Sequence, residues 1–147
     1  MIKKTSISIT LANLILAAVV LAACTNEEIK MPSGSTPDFR VIALDFTKAL
    51  ATRDYSKAYA MTSQKFRKKN SVDNLRTRFE AIVPSDWGPI GLIQVGETTT
   101  IWPKKQSSDL GWAYVSIGGN MYSEAITVIV TLDNGEQKIR EVEFGRP

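Results

Sequence analysis

The chain has one cysteine and no histidine, and those two counts bound the chemistry it can do. Without histidine the commonest general base is missing, and Ser/His/Asp or Cys/His nucleophile arrangements cannot be assembled. With Cys24 as the only thiol, no internal disulfide can close, and left unmodified it would be a liability in an oxidising compartment. The carboxylates are scattered: no spacing matches a calcium loop, no cluster suits zinc, and no glycine-rich stretch could cradle a phosphate. Neither a cofactor nor a metal is expected, and no catalytic residue is assigned. Asp45, Asp54, Tyr55 and Tyr59 are acid and phenol types that can do chemistry, but they match no enzyme motif. An Asp at a helix start is usually a cap, and Tyr at helical spacing usually fills core with its hydroxyl bonded at the rim.

Two groups of side chains could instead bind something. Trp112 and Tyr114 fall on one face of an expected strand, with Ala113, Val115 and Ile117 on the other. Trp87 falls in the loop between Pro84 and Gly91, and Trp102 ends a strand just before Pro103. These rings either cover the edges of a small core or, with Tyr55 and Tyr59, line a pocket mouth or partner surface, where aromatic residues often dominate affinity. The second group is the run Lys65, Arg67, Lys68 and Lys69, with Arg76 and Arg78 soon after. Such a run usually marks a solvated helix end, where cations complement the macrodipole. Its other reading is contact with an anionic lipid surface or an acidic partner.

The context of Cys24 is specific. Lys3 and Lys4 precede a largely apolar run over residues 11–23, interrupted by Asn13, and Ala22 and Ala23 supply the small residues a signal peptidase needs. A membrane-spanning helix needs about 20 apolar residues; this run is shorter and gives way at once to Thr25, Asn26, Glu27 and Glu28. Leu21-Ala22-Ala23-Cys24 resembles the lipobox of a bacterial lipoprotein precursor. The resemblance implies that residues 1–23 are a signal peptide, that the Cys24 thiol receives a diacylglyceryl group, and that cleavage falls between Ala23 and Cys24. The membrane would then be the first partner, reached through lipidated Cys24. Each buried methylene contributes about 0.8 kcal/mol, so two or three chains would hold the protein durably. Thr25 stands where the enteric sorting rule would place an aspartate for inner-membrane retention, which favours the outer membrane, facing the periplasm. Without the leader the formal charge of +3 falls to +1, from 16 basic and 15 acidic residues. That balance is no footprint of nucleic acid.

Residues 24–36 read as the lipidated cysteine and a flexible tether, whose polar, Pro- and Gly-containing composition gives it an r.m.s. reach of roughly 20 Å. Residues 37–147 suffice for one core and no more. Thr36 is an expected N-cap with Pro37 at the first helical position, and Phe39, Ile42, Phe46, Ala49 and Leu50 recur at helical spacing. Asp54 caps a second helix with Tyr55, Ala58, Tyr59, Met61 and Thr62. Ser71 caps a third with Val72, Leu75, Phe79 and Ile82, stopped by Pro84. Period-two segments follow at residues 91–102, 111–117, 122–132 and 137–144. Gly118-Gly119-Asn120 and Asp133-Asn134-Gly135 have residue types that tolerate positive φ and read as tight hairpin turns. Helices first and strands afterwards predict an α+β fold with the helices on one face of a four-stranded antiparallel meander.

That order, together with the stretch running from Asp54-Tyr55-Ser56-Lys57-Ala58-Tyr59 to Gln64-Lys65-Phe66, resembles the NTF2-like, or cystatin-like, superfamily. The resemblance covers most of residues 37–144. It implies three helices on a curved sheet forming a cone, and a homodimer through the sheet is possible. Fold constrains function weakly. The expected function is a non-enzymatic envelope lipoprotein whose domain binds a protein partner of unknown identity, as an accessory subunit of an envelope complex or an immunity or inhibitor protein. The alternative is a small-molecule-binding protein, or an isomerase- or dehydratase-like enzyme, that uses the hollow of the cone.

Overall fold

A computed structural model describes residues 38–146; the expected leader and tether, Cys24, and the expected cap at Thr36 and Pro37 lie outside the described residues. The first helix, α1 (Phe39–Ala51), is capped by Asp38, not Thr36. Asp38 has an extended backbone and its carboxylate accepts the Arg40 amide at 2.9 Å, so it meets an otherwise orphaned N–H. Ala43, Phe46, Thr47 and Leu50 form the buried stripe of α1. Thr47 sits in that stripe because its hydroxyl donates to the Ala43 carbonyl at 2.8 Å.

Asp54 caps α2 (Tyr55–Ala60) and Ser71 caps α4 (Val72–Ile82), as the residue types predict. Between them the basic run lies at the end of a short helix of its own. Ser63 caps a separate turn of helix, α3 (Gln64–Arg67), and Met61 and Thr62 leave the helical path before it. Beyond Pro84 a 3₁₀ turn at Ser85–Trp87 occupies what reads as loop.

Strands β1 (Leu92–Thr99), β2 (Asp109–Gly118), β3 (Ser123–Asp133) and β4 (Glu136–Phe144) form one open antiparallel sheet in sequence order. The fold is therefore α+β with a four-stranded meander. β1 is shorter than its period-two pattern. The Thr99 hydroxyl accepts the Ile101 amide at 3.1 Å, which turns the chain and leaves Trp102 beyond the strand.

The β3–β4 turn behaves as its residues predict, with Asn134 at φ 53° and Gly135 at φ 82°. The β2–β3 link does not: neither Gly118 nor Gly119 has positive φ. Gly119 is needed for space, since a β-carbon there would strike the Tyr122 ring and lie 3.1 Å from the Pro89 carbonyl. Gly111 likewise leaves room for the Phe39 ring against β2.

Ala113, Val115, Ile117, Ile126, Val128, Val130, Ile139 and Val142 present the sheet's core face to Phe46, Leu50, Phe79 and Leu75 from the helices. Phe79 meets Tyr55 and Phe144 edge-on, each at 6.4 Å between ring centres. No helix among the described residues is long and apolar enough to cross a membrane.

Candidate functional site

The helices and β4 enclose a cleft of about 400 Å³ lined by Lys65, Phe66, Lys69, Asn70, Arg78, Arg140, Glu141, Val142 and Glu143. Local structure explains why these side chains converge. Lys65 and Lys69 are four positions apart around the short α3 turn, so they share a side. Arg67 and Lys68, in the same basic run, fall outside the lining. Arg78 arrives from α4; its guanidinium donates to the Val142 carbonyl at 3.2 Å and lies over the Phe144 ring, 4.8 Å from its centre. Phe66 and Val142 are buried and supply the apolar floor.

Arg140 enters the cleft because β4 carries one extra residue there. Ile129 pairs with Glu141 and Val130 with Ile139, leaving Arg140 as a β-bulge. Its side chain forks onto Asp109 of β2, Nε to Oδ1 at 2.7 Å and Nη2 to Oδ2 at 3.0 Å, while Nη1 reaches Glu141 at 2.9 Å. The Asp109 side chain is 0% exposed and that of Arg140 8%, and Asp109 also accepts the Gln106 amide at 2.8 Å. The pair therefore holds the wall of the cleft with most of its charge already matched. A smaller recess of about 140 Å³ adjoins, lined by Ser63, Gln106, Ser108, Thr131 and Asp133 and sharing Lys65 and Arg140. The Lys65 ammonium spans toward it, donating to the Gln106 side-chain oxygen at 3.1 Å.

The edge of β4 is closed beside the cleft. The Ile139 amide donates to the Met61 carbonyl at 2.9 Å and its carbonyl accepts from Ser63 at 2.8 Å, forming a parallel bridge with Thr62. Asp133 accepts the Gln64 amide at 2.6 Å and ties the β3–β4 turn to α3.

The aromatic candidates are not gathered into one site. Tyr55 belongs to the core; its hydroxyl donates to Glu80 at 3.0 Å and accepts from Arg53 at 3.1 Å. Burial holds the Tyr55 phenol above its ordinary value, with the Arg53 hydrogen bond opposing and Glu80 adding to the rise. Tyr59 donates to the Asn70 carbonyl at 2.9 Å and steadies the chain where it borders the cleft. Trp87 packs on Tyr122 at 5.6 Å between ring centres, near the start of β1, whereas Trp102 lies past the other end of that strand beneath Lys105. Trp112 and Tyr114 do stand on the sheet face away from the core, in rows running Trp112, Ile129, Glu141 and Tyr114, Thr127, Glu143. Ala125, Thr127 and Ile129 of that face are buried, Trp112 and Tyr114 are half-buried, and Glu141 and Glu143 are its exposed residues.

Tyr122, Asp109 and Arg140 were not marked by sequence spacing. The Tyr122 hydroxyl is buried with no hydrogen-bond partner, and burial pushes the phenol up, with Arg53 opposing. The Asp109–Arg140 pair joins positions 31 apart, a separation with no local signature. Among the described residues no group of three or more His, Cys, Asp or Glu could hold a metal ion. The arrangement can bind an anionic group; it assembles no nucleophile with a base. No family model, curated protein or solved structure matches the chain.

Proposed function

We propose that this chain is a non-enzymatic lipoprotein of the bacterial envelope, exported by residues 1–23 and anchored through lipidated Cys24, whose residues 37–147 are an NTF2-like protein-interaction module. The outer membrane, facing the periplasm, is the proposed location. The observation that carries the interaction reading is the filled interior. Phe46, Leu50, Leu75 and Phe79 meet Val115, Ile117, Val128 and Val130 with every one of these side chains buried. A carrier or an enzyme of the cone type would need an apolar hollow there with a few convergent polar groups. The concave feature lies instead at the surface, beside the sealed edge of β4, and is ringed by charge. Surface charge of this kind sets partner choice and encounter rate.

Intact-mass spectrometry of membrane extracts tests the anchor: the mature chain should begin at Cys24 and carry the mass of its acyl groups. An unprocessed or unacylated chain refutes that half. Crosslinking in native membranes tests the module, with a stoichiometric partner expected and its repeated absence counting against it.

A further inference from the structure

We infer that the cleft between α3, α4 and β4 docks an acidic segment of a partner protein, with the segment's carboxylates taken by Lys65, Lys69 and Arg78. This rests on the interaction-module reading and names its site and the chemistry of its partner. Three features carry it. First, the cleft holds cations that its own carboxylates do not neutralise. Lys69 forms no ion pair with any described residue, Lys65 is held by an amide oxygen, and Arg78 donates to a backbone carbonyl. Glu141, a carboxylate of the cleft's own lining, is already engaged by Arg140.

Second, two of the three donors are held in place. Arg78 is fixed between the Val142 carbonyl and the Phe144 ring, and Lys65 is drawn across by Gln106. Less freedom is then lost when an acid arrives. Third, shape and mixed charge select the source of the acid. At about 400 Å³ the cleft is the size of a ligand pocket. It is concave, floored by Phe66 and Val142 and bordered by Glu141 and Glu143. A flat, uniformly anionic bilayer would meet those glutamates and could not reach the floor. A peptide can turn a carboxylate toward Lys69 and Arg78 and an apolar side chain toward Phe66, and keep acids away from the border. Arg67 and Lys68 lie outside the cleft and have no part in it.

The test is fluorescence anisotropy on the full chain in neutral detergent. The probe is a fluorescein-labelled peptide of sequence Leu-Asp-Asp-Leu-Glu-Glu, with its Asn/Gln counterpart as control. The acidic peptide should bind at least about tenfold more tightly than the neutral one, a difference of about 1.4 kcal/mol. Binding should weaken steeply between about 0.1 M and about 1 M salt, as the screening length falls from about 10 Å to about 3 Å. Lys69→Glu and Arg78→Gln should each weaken binding about tenfold. Paired Arg67→Glu and Lys68→Glu should leave it within about twofold, since charges outside the cleft act only through a screened field. Lys69 is exposed, so Lys69→Glu remains informative if Arg78→Gln fails to fold.

Absence of binding, equal affinity for the neutral peptide, or indifference to Lys69→Glu overturns the proposal. Displacement by short-chain phosphatidylglycerol at the concentrations that suffice for unlabelled acidic peptide also overturns it, and gives the site to a lipid headgroup. A crosslinked partner seated on another face would sink the cleft and leave the interaction-module reading standing.

Discussion

At the β4 edge the backbone of Ile139 is taken up by Met61 and Ser63, Arg78 meets the Val142 carbonyl, and a buried ion pair pins the bulge at Arg140. At the opposite edge β1 pairs only with β2, its register slips between Val95 and Thr98, and Leu92 is 51% exposed. Both edges present the hazard of unpaired strand groups, and they are managed differently. β4 is covered by chain and by charge; β1, one residue shorter, is bulged at Gly96 and Glu97, and its outer edge pairs with no other strand. Covering an edge with polar and cationic groups also builds a recess, which is why the cleft lies beside β4. The β1 side instead gathers apolar surface at Trp87, Leu92 and Met121, which are 43%, 51% and 87% exposed.

The comparison breaks most sharply at Asp109. Asp109→Asn should leave the buried Arg140 guanidinium with only the half-exposed Glu141 as counter-charge and cost about 3 kcal/mol, whereas replacing both partners with apolar residues of similar size should be far milder. Urea unfolding of the three proteins measures this, and equal losses in single and double variants would mean that the pair itself, not the stranded charge, matters. Next, Ser63→Ala removes the acceptor of the Phe66 amide, a 3.2 Å bond, and should cost about 1 kcal/mol as a lost cap. It should also lower acidic-peptide binding by loosening the turn that carries Lys65, which the same titration repeated with the peptide would show.

On the β1 side the expected effects are smaller and one has the opposite sign. Tyr122→Phe removes a buried hydroxyl that has no partner, so stability should hold or rise, by up to about 1 kcal/mol. The pH dependence sharpens this. Burial raises the Tyr122 phenol, so the folded state keeps its proton more tightly than the unfolded chain. That contribution is intact below the unfolded value of about 10 and is lost as pH rises through the folded one. Thermal melts above about pH 10 should therefore fall less steeply for Tyr122→Phe than for the parent. Smallest of all, Leu92→Ser at the exposed edge should stay within about 0.5 kcal/mol; a larger loss in a calorimetric melt would show that the β1 edge is covered after all.

The regularly patterned parts of this fold were legible without coordinates. Phe46 and Leu50 on one helix, Leu75 and Phe79 on another, and the alternation of Ala113, Val115 and Ile117 against Trp112 and Tyr114 all report burial through local period, and each lies where that period puts it. Asn134-Gly135 was legible for a similar reason, since a two-residue hairpin turn of the I′ type demands positive φ of both residues. Gly118-Gly119 misled because a glycine can serve torsion or space, and only the Tyr122 ring reveals which. The basic run does lie at an exposed helix end, as its residue types suggest, but that helix is a separate short turn capped by Ser63 and tied to β4, which no local pattern announced.

What the amino-acid order determined by itself is therefore local: which stretches coil, which extend, where Asp54, Ser71 and Asn134-Gly135 start or reverse them, and that no histidine or second thiol is there to do chemistry. The tertiary structure decided what depends on distant residues meeting. It separated Lys65 and Lys69 from Arg67 and Lys68, brought Arg78 to the same recess, and set Asp109 against Arg140. The reason is physical: periodicity and capping act over a few residues, whereas a cleft's charge is fixed by side chains that become neighbours only when sheet and helices close on a shared core.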